Sequence, residues 1–513
     1  MTTDATPDAT PVHRVGSRAA LVDLPDLATA MVWHSHLATH PLRGQRDIIA
    51  AARTVLVVLD SPSAATAAMK QLRTLRPTES AGGNASRTVT VDVVYDGPDL
   101  ETVADQLGTT VDGVIEHHTS STWTGAFGGF APGFTYCVGD KVPSVSRRDS
   151  PRTEVPDGAV GLAGEFSAVY PRSSPGGWQL IGTSATPVWD ASEQEPALIR
   201  PGDRVAYRAV RERVEVCPSA PERDGDVQER ASLTLTDPGL LTVIEDAGRP
   251  GHGGVGVTGS GAADMASAQV ANDVVGNHPG DAVLENIGGL SLTALQDVVV
   301  AVTGAETTVT VDGRSRALAS PLLVTEGSTL VVPGVDDPHH GLRSYVAVRG
   351  GVRHNGEVLG SLSSDVLSGL GPGPLVAGSA IEVGAGQVAP TRTGTNPVRV
   401  PDVLRVVAGP RDAWFADGTE ALTGREWTVS PSSNRVGVRL SGTAVNRSDD
   451  RELPSEGMVA GSVQVPPDGQ PVLFLRDHAV TGGYPVIATV IAEDLDAAAQ
   501  LAPGATVRFE EYT

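Results

Sequence analysis

The chain of 513 residues carries 61 acidic against 38 basic side chains, a formal net charge of −23. That field argues against non-specific nucleic-acid binding and against docking on anionic membrane, because both need clustered positive charge. The length allows about three or four domains at roughly 100–200 residues each, and no apolar run approaches the ~20 residues that a bilayer span requires.

The opening MTTDATPDATPVHRVG is acidic and has no apolar stretch, so residues 1–11 read as a disordered tail rather than a signal peptide. Residues 12–85 read as a small α/β domain. Within it, Thr54–Leu59 (TVLVVL) predicts a buried strand, and Ser61-Pro62-Ser63 leads into a helix over 64–75. Residues 87–95 alternate as a strand should, and two short helices follow over 100–107 and 111–117. Strands dominate from there. LIRPGDRVAY at 198–207, LVAGSAIEV at 375–383 and LAPGATVRF at 501–509 each place an apolar residue, a glycine turn and an alternating segment in succession. Such turns are common in β proteins, but their recurrence divides the chain into units over 86–210, 231–385 and 402–513. Two breaks agree: 211–230 is charged, Pro-containing and non-periodic, and 386–401 is a milder linker. Residues 493–500 add a helical turn beside the last strand. The expected fold class is mainly β, a small N-terminal α/β domain followed by about three antiparallel barrels.

Lysine occurs only at Lys70 and Lys141, so nearly all positive charge is arginine. Neither lysine has P-loop or kinase-strand context, which excludes the standard ATP engines. Ala68-Met69-Lys70 imitates a biotin-attachment tripeptide, but it falls in the predicted helix and Gln71 follows it, so no covalent biotin is expected. Cys137 and Cys217 form neither a disulfide framework nor a four-ligand zinc site, in keeping with a reducing cytoplasm. Ser260 lacks the Gly-x-Ser-x-Gly surroundings of a hydrolase nucleophile.

Three sets of segments are too dense in glycine, proline and fixed polar residues for ordinary core. The first is GGFAPGFTY at 128–136 with YPRSSPGGW at 170–178. The second is DPGLLTVIEDAGR at 237–249 with GSGAAD at 259–264 and ANDVVGN at 271–277. The third is Ser455-Glu456-Gly457 with QVPPDG at 464–469 and TGGYP at 481–485. Together they resemble the KipI/KipA family, also described as the B-type and C-type components of bacterial ATP-dependent 5-oxoprolinase and similar to the carboxyltransferase region of urea carboxylase. Residues 12–210 look like KipI and 231–513 like KipA, fused through 211–230. The resemblance implies cyclophilin-like barrels and opening of the 5-oxo-L-proline lactam to L-glutamate with ATP hydrolysis. It also implies a separate LamB/YcsF-type subunit; oligomerisation stays open. Two other readings are a carboxyltransferase or allophanate-hydrolase-related module served by biotin on another chain, and a regulator of a sensor histidine kinase.

A lactam activated by phosphorylation needs cations against the phosphates and donors for the developing oxyanion. The resemblance then implies a catalytic set of His118, Tyr136, Asp246, Arg249 and Tyr484. Arg147, Arg152, Arg172, Arg435 and Arg439, with the backbone of Gly176 and Gly177, would hold ATP. Asp264, Glu285 and Asp477 would hold Mg²⁺. The plain alternatives are surface ion pairs for the arginines, barrel bends for the glycines, turn acceptors for the carboxylates, and buried structural roles for His118 and the tyrosines. Five positions depart from the family pattern: Glu245 for glutamine, Ala263 for methionine, Leu362 for arginine, Asn434 for aspartate and Ser146 for proline.

Overall fold

The computed structural model describes residues 10–78, 87–140, 144–211, 231–386 and 388–512. Nearly all of the expected tail, the expected linker beyond Arg211 with its Cys217, and Lys141 lie outside the described residues.

The N-terminal unit is a four-stranded antiparallel sheet in the order Val12–Val15, Ala19–Asp23, Thr54–Leu59, Gln45–Ala50. Helices Leu27–Thr39 and Pro62–Thr74 cover one face, where Trp33, Leu37, Ala65 and Leu72 meet Val22, Val55 and Val57. On the opposite face Leu21, Ile49 and Leu56 pack with Val480 of the last unit. A sheet buried on both sides accounts for the unbroken apolar run at 54–59. The second helix starts as its sequence demands, with the Ser61 hydroxyl accepting from Ala64 N and Pro62 in the first turn. The first helix has a matching cap, Asp26 to Thr29 N at 2.8 Å. Its LATAMVWHSHLAT sequence has no charged stripe opposite an apolar one, so periodicity does not announce it.

The first barrel is a seven-stranded sheet running from Gln179–Thr183 to Thr88–Val93, and a bridge between Val94 and Thr183 joins its edges. The last unit is a closed seven-stranded barrel. Seven is odd, so a ring of strands cannot alternate direction throughout, and one neighbouring pair must be parallel. In each barrel that pair is the first strand and the last: Thr88–Val93 with Arg204–Ala209, and Val403–Ala408 with Thr506–Glu511. The barrels match in a further detail. Trp123 and Trp427, both fully buried, are the first and second residues of equivalent strands and donate their indole N–H to the carbonyl five residues earlier, His118 O at 2.9 Å and Leu422 O at 3.0 Å.

The middle unit closes a seven-stranded and a five-stranded sheet on one core that includes Leu233, Leu284, Leu292, Val300 and Val346. Helix Met265–Val275 lies on the outer face of the five-stranded sheet, capped by Asp264 at its start and by left-handed Gly276 at its end. Residues 388–401 carry no strand or helix and run along this unit, with Ala389 N bonded to Gly276 O and Gly394 N to Ala319 O. No helix among the described residues is long and apolar enough to cross a membrane.

Candidate functional site

The signature segments of the two halves touch one another. Segment 128–134 of the first barrel lies on loop 253–257 of the middle unit, where Gly133 N donates to Val255 O at 3.0 Å. A Cβ on Gly128 would stand 2.5 Å from Gly254 O, so the approach requires glycine. Gly129 abuts Thr481 of the last barrel, and Thr481–Gly482 pairs with Glu456–Gly457. A Cβ on Gly457 would stand 2.8 Å from the Leu56 Cβ, which explains the glycine that closes Ser455-Glu456-Gly457. Two non-glycine residues here hold left-handed backbone, Phe130 at φ 62° and Ser260 at φ 49°. Such strain costs of order 1–3 kcal/mol and survives where the surroundings enforce it.

Beside this junction a cavity of 310 Å³ opens between the N-terminal unit and the last barrel, lined by Asp23, Arg53, Arg411, Trp414, Arg451 and Glu456 among others. Arg411 is its electrostatic centre. Its Nη1 and Nη2 reach Asp23 at 2.9 and 2.6 Å, and its Nε donates to Glu456 Oε1 at 2.9 Å. His13 lies 2.9 Å from the same Asp23 carboxylate. Burial favours the neutral form of Asp23, but hydrogen bonds from Arg411 and His13 outweigh it and hold the carboxyl well below the usual range. Glu456 goes the other way: burial, aided by the charge of Asp23, raises its pKa against the pull of Arg411. Two carboxylates on one guanidinium are thus separated into a fixed anion, Asp23, and a group that can hold and release a proton, Glu456.

Ser455 connects the cleft to the first barrel. Its side chain lies beside the buried Tyr136 hydroxyl, and Tyr136 stacks on Phe127 at 4.4 Å with Phe134, Phe166 and Trp178 around it. Burial raises the Tyr136 pKa, so the phenol is neutral. Arg147 faces Glu452 at 3.9 Å across the two halves. Its neighbours Arg148 and Arg152 both bind Asp99 at 2.8 Å and fix the loop that carries it.

A second charged centre is sealed between the middle unit and the last barrel. Arg435, fully buried, donates through Nε to Asp477 Oδ2 at 2.9 Å, through Nη2 to Gly261 O at 2.9 Å, and through Nη1 to Glu285. Arg343 adds a second cation 3.3 Å from Glu285. Glu245 stands 3.2 Å from Arg435, and neither of its oxygens has a hydrogen-bond partner. Burial, with the negative charges of Asp477 and Glu285, pushes its pKa well above normal despite Arg435. Asp246 organises the adjoining loop, accepting from Gly248 N, Leu362 N and the hydroxyls of Ser361 and Ser363 at 2.6–2.7 Å.

The expected nucleotide and metal sets are not assembled. Arg435 is enclosed by carboxylates, and Arg249 donates through Nε and Nη2 to the carbonyls of Val358 and Ser363, leaving its buried Nη1 without a partner. Arg152 is bound to Asp99, and Arg172 bonds the Leu367 carbonyl in the middle unit. Arg439 is exposed on strand Gly437–Ser441, and Gly176 ends a short strand paired with Arg152–Val155, with Gly177 O accepting from Arg148 N. In place of a metal site, Glu285 and Asp477 bind Arg435, while Asp264 caps a helix and accepts from Gln500 at 2.7 Å. No group of three or more His, Cys, Asp or Glu that could hold a metal occurs among the described residues. Among the described residues, the expected arginines and carboxylates therefore do not converge on a Mg-ATP site. Tyr484 is 46 % exposed, beside Gly483, which lies near the Leu453 carbonyl at the cleft wall.

His118 is placed away from any ligand. It is 2 % exposed, 2.7 Å from the Tyr95 hydroxyl and 2.9 Å from that of Ser167, and burial lowers its pKa to about 3. An unfolded histidine takes a proton near 6.5 while the folded one resists, so stability present above that pH is lost as pH falls toward 3. The slope is up to about 1.4 kcal/mol per pH unit. His118→Gln is expected to flatten this acid limb in urea midpoints measured between pH 7 and 4; an unchanged limb would refute the assignment.

Asp23, Arg53, Arg411, Trp414 and Glu456 are the site residues that sequence reasoning did not select. Glu456 lay inside a segment marked as unusual; Asp23 ended an ordinary strand and Arg53 sat in the turn before another, and neither carried a signal.

Two descriptions of one family match this chain. The carboxyltransferase domain, subdomains C and D, matches residues 10–199, and subdomains A and B match residues 255–511. The C-type subunit of 5-oxoprolinase from Escherichia coli (strain K12) is 34 % identical over 283 residues, covering 54 % of this chain and 90 % of that protein. The B-type subunit of 5-oxoprolinase from Escherichia coli O157:H7 is 38 % identical over 168 residues, 31 % of this chain and 76 % of the relative. The crystal structure of the protein TTHA0988 superposes with a TM-score of 0.83 at 32 % identity, over 96 % of this chain and 99 % of its own.

Proposed function

Because the chain belongs to the carboxyltransferase-domain family and carries the C/D and A/B subdomain pairs in one polypeptide, we propose that it is a fused counterpart of the B-type and C-type subunits of 5-oxoprolinase. In this reading it opens 5-oxo-L-proline to L-glutamate in an ATP-dependent reaction together with a separate LamB/YcsF-type subunit. One observation supports the reading above the others: segments from both halves build a single cleft. Ser455 of the last barrel meets Tyr136 of the first, while Arg411 reaches back to Asp23 of the N-terminal unit. A site divided between two subunits gains from fusion, because linkage replaces a bimolecular encounter.

The cleft's own chemistry suits an amide. The leaving nitrogen of a lactam needs a proton as the ring opens, and Glu456 is the group whose surroundings favour holding one. No step is assigned to a nucleotide on this chain, since the expected arginines do not converge. Purified chain mixed with a YcsF-type protein, ATP and Mg²⁺ is expected to release glutamate from 5-oxoproline, read by an enzyme-coupled glutamate assay. Release that persists without ATP, or none with every component saturating, would refute the reading.

A further inference from the structure

Three guanidinium groups line the cleft, and they are not equivalent. Arg411 is occupied by Asp23 and Glu456. Arg451 binds Asp449 at 2.9 Å and lies 5.3 Å over the Trp414 ring, which Arg447 also approaches at 5.8 Å. Arg53 alone among these three has neither a side-chain hydrogen bond nor an ion pair among the described residues. Its backbone is nevertheless held firmly. It sits in the turn between strands Gln45–Ala50 and Thr54–Leu59, where Ala51 N bonds Thr54 O at 2.9 Å and Leu24 N bonds Arg53 O at 2.9 Å. Ala52 N bonds Ser455 O at 3.3 Å, which ties this turn to the opposite wall of the cleft.

A fixed turn presenting an unused guanidinium into a cavity is a seat for a planar anion, because the five N–H donors match a carboxylate two at a time. The cavity decides the size of that anion. At 310 Å³ it stands at the lower end of the roughly 300–1,000 Å³ of small-molecule sites, room for a small ring. Trp414, with Arg447 and Arg451 over its ring, adds an aromatic side chain to the lining. The anions nearby are already committed. Asp23 is bound to Arg411 and Glu452 faces Arg147. Asp26 feels the charge of Arg53, but its carboxylate is spent on capping the first helix through Thr29.

We propose that Arg53 is the specificity-determining anchor of this cleft, gripping the carboxylate of a small-ring carboxylic acid laid against Trp414. The inference rests on the ring-opening reading only for the choice of its first probe. The full chain would be titrated calorimetrically with 5-oxo-L-proline, L-proline and tetrahydrofuran-2-carboxylate, and with 2-pyrrolidinone, which keeps the lactam ring but lacks the carboxylate. The acids are expected to bind and pyrrolidinone is not. Arg53→Gln, an exposed change with no packing role, is expected to weaken the acids roughly 10- to 100-fold, with Arg53→Lys recovering part of the loss. Equal binding of pyrrolidinone, wild-type affinity in Arg53→Gln, tighter competition by inorganic phosphate than by the acids, or no binding of any acid would each overturn the proposal. Arg53-dependent binding of the acids without glutamate release would leave the anchor standing and sink the 5-oxoprolinase reading instead.

Discussion

Arg435→Met is expected to lower the unfolding free energy by about 3–5 kcal/mol, the range for breaking a buried ion pair by removing one partner. The cause is not loss of attraction as such. Asp477 and Glu285 are fully buried, and Asp477 would be left without a cation, keeping only the Ser260 hydroxyl at 2.7 Å and Val366 N at 3.1 Å. Glu285 retains Arg343 and bonds from Ala263 N and Tyr345, so the damage centres on Asp477 and on the contact between the middle unit and the last barrel. Tryptophan fluorescence through urea would report it; a midpoint near that of wild type would show that the network relaxes around the gap. Glu245→Gln provides the opposite case. A folded pKa raised above the unfolded 4.5 means that the folded state keeps a proton which the unfolded state releases. The Glu245 contribution to stability should then fall as pH rises above 4.5, opposite in sign to that of His118, and the glutamine variant should lose that component and gain stability relative to wild type at neutral pH.

This centre also shows what the sequence could and could not say. The mainly β fold class, the nearly all-arginine cation set and the signature segments are legible because glycine, proline and alternation act locally. The parallel closing pairs were not, because strand direction follows from closing an odd number of strands. Nor were the partners of the signature arginines: Arg249, Arg172 and Arg435 look like ligand contacts in sequence, and each donates to a different segment of the chain. A sequence shows that a charge is placed in a special loop, but its partners come from segments 42 to 195 residues away. The departures from the family pattern sort by the same logic. Leu362 and Ala263 donate backbone N–H groups to Asp246 and Glu285, and Asn434 accepts from Val436 N as an aspartate would. Those roles survive the change of side chain. Glu245 is different, since it puts an ionisable group where no solvent reaches.

Glu456→Gln is expected to lower kcat for glutamate release by about 10²–10⁴-fold, the range for losing a positioned general acid, with KM little changed. The fold should tolerate it, because glutamine keeps an acceptor for Arg411, and Arg411 keeps Asp23. Rate loss alone would not separate a proton donor from a strut, but the pH profile does. If protonated Glu456 serves the leaving nitrogen, kcat falls as pH rises through its elevated pKa, and the glutamine variant has no such limb. Asp23→Asn then gives a directional check. The Asp23 charge helps to raise the Glu456 pKa, so removing it also frees Arg411 to bind Glu456 alone, and both changes favour the carboxylate. The limb should therefore move to lower pH in Asp23→Asn, with kcat on the acid side retained. A limb that stays in place would separate Glu456 from the titration and leave it as a partner of Arg411 only. The reason for expecting the shift lies in the geometry: one guanidinium is shared by two carboxylates from units at opposite ends of the chain, so the charge on one sets the proton affinity of the other.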